Sequence, residues 1–283
     1  MFPIQTILVP TDFSAYARNA MKYAIKMAHT LEAELIFFHC TSVTGSRKLL
    51  GLSESEIKKT ISHDAGKKLV LLDKEVKEVY DLLNINRELT GTKTIVESGS
   101  LIVEEIIDAA KKNKADLIIM GTHGASGTER IFGSNTSNVI SKSSIPVLAI
   151  PKNYRYKIIH KIIYASDLGN ILTELKTIVP LAKTFCASID VFNLCYEEIA
   201  EPEEFFKNLI TLLDFPNLRL MQLKRNLDKT VLRQLREYID RHKSDLLVMF
   251  PAERDVLEKI FNGSKTEKLS YNIKVPLLSI KEK

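Results

Sequence analysis

Three glycines, a helix start and one carboxylate carry the chemistry that this chain offers. Gly121 and Gly124 directly follow the apolar run Ala115–Met120, and Gly133-Ser134 opens a helix expected over 134–142. Glycine tolerates backbone conformations and close approaches that a Cβ forbids, so N–H groups here can reach a phosphate. A helix N-terminus adds unpaired N–H groups and a dipole that favours an anion. Ser134 and Thr136 place hydroxyls beside the same oxygens, an arrangement that suits a di- or triphosphate. The stretch THGASGTERIFGSNTSNVI contains neither GxxxxGK[ST] nor GxGxxG, so it is neither a Walker loop nor a dinucleotide fingerprint. The carboxylate is Asp12, in Pro10-Thr11-Asp12 at the end of the first apolar run. It can cap the following helix or meet a ligand. His39 and His123 stand in no Ser/His/Asp or metal-ligand spacing, and Arg130 and Lys142 read as solvated surface.

Alternating strands and helices must hold these residues in place. Residues 5–10 and 33–40 are apolar strands, separated by a helix over 14–31 with Ala17, Ala20, Met21, Ala24, Ala28 and Leu31 on one face. Ser53 and Glu56 form a capping box for a long helix over 53–84. Its apolar face is Ile57, Ile61, Ala65, Leu69, Leu72, Val76, Val79 and Leu83. A third strand is expected over 92–97. Ser100 is placed to cap a helix with Val103, Ile106, Ile107 and Ala110 inward. Ala115–Met120 is apolar throughout, as in a parallel sheet covered on both faces, and 145–150 is the last strand. In such open sheets ligands bind at the carboxyl ends of the strands, near the point where strand order reverses.

The chain repeats itself. ILVPTDFS (7–14) matches IIYASDLG (162–169), ADLIIMG (115–121) matches SDLLVMF (244–250), and 131–150 matches 260–280 with Pro146 aligned to Pro276. The fold expected is therefore α/β: two tandem open, mostly parallel five-stranded sheets with helices on both faces. Residues 1–152 form one domain and 153–283 the other. The second copy's helices are placed at 171–185, 201–213 and 228–242. Asp167 stands where Asp12 does, and Gly263-Ser264 where Gly133-Ser134 does. Phe250 replaces Gly121 and Glu253 replaces Gly124. A phenyl ring excludes a close-lying ligand, and a carboxylate repels phosphate. At an effective dielectric near 20, two unit charges ~4 Å apart repel by about 4 kcal/mol, roughly a thousandfold in affinity.

The chain is 283 residues, 45% hydrophobic and 27% charged, with a net charge of +5. That length suits two domains. The lysines are dispersed among acidic residues, which argues against nucleic acid as a partner. No apolar run reaches the roughly 18 residues of a membrane span, and MFPIQTILVPTDFS reads as a first strand and not a secretion signal. Cys40, Cys186 and Cys195 form neither a CxxC nor a disulfide framework, as expected of thiols in the cytoplasm.

On these residues the sequence resembles the universal stress protein family in its tandem two-domain form, which is adenine nucleotide α-hydrolase-like in fold. The family's ATP-binding members carry G-x2-G-x9-G-[ST]. Gly121-x2-Gly124-x8-Gly133-Ser134 matches one residue short, while Glu253-x9-Gly263 keeps the full spacing without the first two glycines. The opening ILVPTDFS and the ending SSIPVLAIP also resemble the family. The resemblance implies that Asp12, with Thr11 alongside, meets the adenine or ribose side. It implies that the backbone at Cys40 reads the adenine edge, and that Met120, Gly121, Gly124, Gly133, Ser134, Asn135 and Thr136 surround ribose and phosphates. The ligand implied is ATP, alone or with Mg²⁺, in the first domain only. The family's habit of pairing last strands implies self-association through 145–150 and 276–280, within one chain and between chains as a homodimer. Three functions remain open: a nucleotide-binding stress-response or signalling module without strong catalysis, a slow ATPase, and a ligand-free scaffold.

Overall fold

The computed structural model describes residues 4–42, 53–122, 134–195, 202–250 and 274–281. They fall into two compact units, 4–156 and 157–281.

The first unit opens with β1 (Thr6–Pro10), α1 (Ala15–Leu31), β2 (Glu34–Ser42), α2 (Glu54–Leu83), β3 (Thr92–Gly99) and α3 (Ile102–Lys112). It closes with β4 (Leu117–Gly121), α4 (Ser134–Lys142) and β5 (Val147–Ile150). Its sheet has the order β3-β2-β1-β4-β5 and every pairing is parallel. Strand order reverses between β1 and β4, so the carboxyl ends of those two strands border the crevice. All five residues of β4 are buried, which requires cover on both faces of the sheet. Helices α1 and α2 pack together, as do α3 and α4.

Two expectations change here. Ser100 does not cap α3: the residue at the cap is Leu101, which makes no side-chain bond, and the first turn relies on Glu104 and Glu105 facing the helix dipole. The apolar stripe of α2 is core only in its second half, where Leu72, Val76, Val79 and Tyr80 are buried. At 30 residues α2 is about 45 Å long, more than a nine-residue strand can cover. Its earlier turns therefore leave Ile57, Ile61 and Ala65 only half-buried. The capping box is present, with the Ser53 N–H donating to Glu56 Oε2 at 2.8 Å.

The first unit also runs past 152. Asn19 Nδ2 donates to the carbonyls of Pro151 and Tyr154 at 3.0 and 3.2 Å. Tyr154 and Tyr156 pack tilted and edge-on against Tyr23, and the Tyr156 hydroxyl donates to Thr30 Oγ1 at 2.9 Å. Aromatic contacts on α1 thus hold Tyr154 and Tyr156 in the first unit.

The second unit contains β6 (Lys161–Ala165), α5 (Ile171–Thr184), β7 (Ser188–Cys195), α6 (Pro202–Leu213), β8 (Leu218–Lys224), α7 (Val231–His242), β9 (Leu246–Met249) and β10 (Leu277–Ser279). Its sheet has the order β10-β9-β6-β7-β8, again parallel throughout. The three helices lie close to where the sequence places them. No helix of the described residues is long and apolar enough to cross a membrane.

One device recurs at the start of each central strand. Asp116 Oδ2 accepts from the N–H groups of Gln5 and Thr6 at 2.8 and 3.0 Å. Asp245 Oδ2 accepts from those of His160 and Lys161 at 2.8 and 2.9 Å. The aspartate in ADLIIMG and SDLLVMF thus clamps the strand beside it. Burial works against the ionised form of Asp245. Lys157 and the two N–H groups together outweigh burial and hold the carboxyl below its ordinary range. A depressed folded pKa stabilises above the unfolded value near 4, and the gain is lost as pH falls through the folded value. Asp116→Ala and Asp245→Ala are each expected to cost about 2–3 kcal/mol in urea unfolding. Asp245→Asn is expected to flatten the loss of stability of the second unit below about pH 4.

Candidate nucleotide-binding site

The turn after β1 is tied on three sides. The Thr11 N–H continues the sheet to the Phe38 carbonyl at 2.8 Å. Thr11 Oγ1 accepts from the Phe13 N–H at 3.1 Å, and Asp12 Oδ1 from the Ser14 N–H at 3.0 Å. Ser14 Oγ accepts from the Ala17 N–H at 3.2 Å and caps α1. Ser14 therefore does the capping that Asp12 alone could have explained. Phe13 sits at φ 63°, the left-handed region, at a cost of about 1–2 kcal/mol for a residue with a Cβ. This reversal leaves Asp12 exposed at the strand's carboxyl end.

Elements the sequence did not connect surround this turn. His39, buried on β2, faces the Thr11 carbonyl with Nδ1 at 2.8 Å and the Phe13 ring at 4.5 Å. The Lys68 ammonium of α2 lies 5.1 Å from the centre of the Phe13 ring. Burial pushes the His39 pKa down, the Thr11 carbonyl opposes this, Lys68 adds to it and Asp12 opposes it. Glu75 of α2 is buried, and its carboxyl is pushed up by burial; Arg18 opposes the shift, while Glu78 and Asp12 add to it. None of these pairings has a local sequence signal, because α2 is far from β1 along the chain.

Cys40 is half-buried beside Glu97 in register. Burial raises its thiol pKa, as do Glu105 and Glu97, against the Gly99 backbone. A raised pKa disfavours the thiolate, which is the nucleophilic form. Met120 is buried.

Gly121 and Thr136 acquire structural reasons of their own. A Cβ on Gly121 would lie 2.8 Å from the Tyr16 carbonyl oxygen, so the glycine lets α1 approach the end of β4. Thr136 is 3% exposed, and its hydroxyl donates to the Gly121 carbonyl at 2.8 Å. It ties α4 to β4, so its proton points into the protein and not towards a ligand. Ser134 and Asn135 are exposed on the first turn of α4, where backbone N–H groups lack partners within the helix. Gly124, Gly133, His123 and Arg130 lie outside the described residues. Lys142 pairs with Glu104 on the surface.

The sequence pattern of the universal stress protein family matches residues 3–151, more than half of the chain. The chain belongs to the universal stress protein family. Two universal stress proteins of Methanocaldococcus jannaschii are each 34% identical to it, over 163 and 148 residues. Each match covers 52% of this chain, and 94% and 81% of the relatives. A universal stress protein structure from Archaeoglobus fulgidus superimposes with a TM-score of 0.65, covering 99% of this chain and 97% of its own. At 17% identity that likeness concerns the fold.

Within this universal stress protein the second unit repeats the turn but not its surroundings. Asp167 Oδ1 accepts from the Gly169 N–H at 2.8 Å, Ser166 Oγ from the Leu168 N–H at 3.0 Å, and Leu168 has φ 72°. At the end of β9, Phe250 sets its ring edge-on against buried Tyr164, with centroids 5.8 Å apart. Two aromatic rings thus meet at the end of β9, at the position that Gly121 holds at the end of β4 in the first unit. Glu253, Gly263 and Ser264 lie outside the described residues.

Gly121→Ala is expected to lower stability by about 1–3 kcal/mol, because the helix backbone at Tyr16 must give way. Thr136→Val should cost about 1–3 kcal/mol by leaving a buried carbonyl unpaired. Thermal and urea unfolding of both variants measure these losses, and unchanged unfolding would remove the packing explanation for the two residues.

Proposed function

We propose that the first unit binds an adenine nucleotide, ATP, as a stress-response or signalling module without strong catalysis. The observation that carries this reading is the meeting of two features at one switch point. The Asp12 turn leaves β1, and beside it β4 ends at Gly121, to which Thr136 ties the exposed start of α4. Asp12 and Thr11 would face the adenosine, with the backbone at Cys40 on the adenine edge and Met120 beside the ribose. Gly121, Gly124, Gly133, Ser134 and Asn135 would line the phosphates, which the α4 N-terminus favours electrostatically. Lys68 adds a cation near the same edge. Magnesium, where present, would arrive with the phosphates.

Occupancy is proposed for the first unit only. Phe250 and Glu253 replace two of the three glycines in the second, and neither a phenyl ring nor a carboxylate suits a close-lying phosphate.

A ligand-free scaffold is the second reading, favoured by the packing reasons found for Gly121 and Thr136. Calorimetric titration with ATP separates the two: binding near one ATP per chain is expected, and two per chain would overturn the single-site assignment. Asp12→Ala should weaken binding by about tenfold or more. Saturation at about 100 times Kd should stabilise the fold by roughly 2.7 kcal/mol, and no thermal shift with or without Mg²⁺ would favour the scaffold.

A further inference from the structure

We infer that His39 is a positioning residue of the nucleotide site: its N–H holds the turn that presents Asp12, and any uncharged N–H donor of similar reach can replace it. The inference rests on the nucleotide-binding reading for its ligand, though not for its geometry. The protein contains its own comparison. Glu34 pairs with Thr6, and Ser188 pairs with Lys161. His39 and Asn193 each stand five residues further along their strands. His39 Nδ1 lies 2.8 Å from the Thr11 carbonyl oxygen, and Asn193 Nδ2 donates to the Ser166 carbonyl at 3.0 Å. A carbonyl oxygen only accepts, so His39 carries its proton on Nδ1.

The rest of the turn matches bond for bond. A hydroxyl at Thr11 or Ser166 receives the N–H two residues on, and so does a carboxylate at Asp12 or Asp167. The residue between, Phe13 or Leu168, has positive φ in each case. The aromatic contact differs: the Phe13 ring packs at a tilt against His39, whereas Leu168 offers no ring. One geometry has survived with an imidazole in one copy and an amide in the other. What the two side chains share is a buried N–H aimed at the carbonyl before the aspartate. Imidazole charge and basicity are therefore not what the turn requires. The donor fixes the peptide plane between Thr11 and Asp12, and through it the carboxylate.

The test compares three variants of the full chain by ATP titration and by hydrogen exchange of the turn amides. His39→Asn should bind ATP within about threefold of the unaltered chain and keep the Phe13 and Ser14 amides protected. His39→Leu keeps the bulk without the donor. It should lose about tenfold or more in affinity and expose those amides to exchange. Asn193→Leu should expose the Leu168 and Gly169 amides and leave ATP affinity unchanged. Affinity in His39→Asn as low as in His39→Leu would overturn the inference, because the imidazole itself would then be required. Unchanged affinity and protection in His39→Leu would overturn it as well. If His39→Leu does not fold, the Asn variant still decides. If the unaltered chain binds no ATP, the reading of the site fails, and the exchange comparison alone judges the role of His39.

Discussion

A phenylalanine held at positive φ is the constraint on which the candidate site depends. A β-strand that ran straight on past Pro10 would carry Asp12 away from the sheet edge. The reversal at Phe13 turns the chain into α1 within a few residues and leaves the Asp12 carboxylate at the rim. That conformation costs about 1–2 kcal/mol, and several modest bonds offset it. The Thr11 hydroxyl, the Asp12 carboxylate and the His39 ring each satisfy one backbone group of the turn. The same set at Ser166, Asp167 and Asn193 shows that the second unit keeps the solution even where the glycine-bearing segment has changed.

The opposite end of the same strand is fixed by charge. Asp116 and Asp245 each take two N–H groups from the residues that begin β1 and β6. An ionised acceptor makes stronger bonds than a neutral one, and the bonding pins the strand in its register. With β1 held at its start by Asp116 and at its end by the turn, the helix that follows can approach β4 closely. Gly121 records that approach, because a side chain there would run into the Tyr16 backbone. The glycine that looks made for a phosphate thus also serves helix packing, and Thr136 joins the same contact.

The two units differ in the helix after their second strand, 30 residues in α2 and 12 in α6, and at the end of the strand that Gly121 closes in the first. The sheets share order and direction, and the clamps and turns agree atom for atom. At the end of β9, however, Phe250 and Tyr164 pack edge to face. An aromatic pair of this kind is favourable in its own right, by about 0.5–1.5 kcal/mol beyond the area it buries. Phe250, which stands where the first unit has Gly121, makes this contact.

The repeat, the alternation of strands and helices, the parallel sheets and the family are legible in the residues alone, because these follow from apolar periodicity and from short local motifs. So are Asp12, Gly121 and the start of α4, since strand ends and helix starts have local signatures. Only the tertiary structure decided what several of those residues do. Thr136 turned inward because β4 and α4 meet there, and Ser14 took the helix cap that Asp12 could also have made. The first turns of α2 outran the core, since no local pattern tells a helix how wide the sheet beneath it is. His39, Lys68 and Glu75 joined the Asp12 turn only when β2 and α2 were folded against β1. Contacts between residues distant along the chain depend on which faces the sheet brings together, and no local spacing records them.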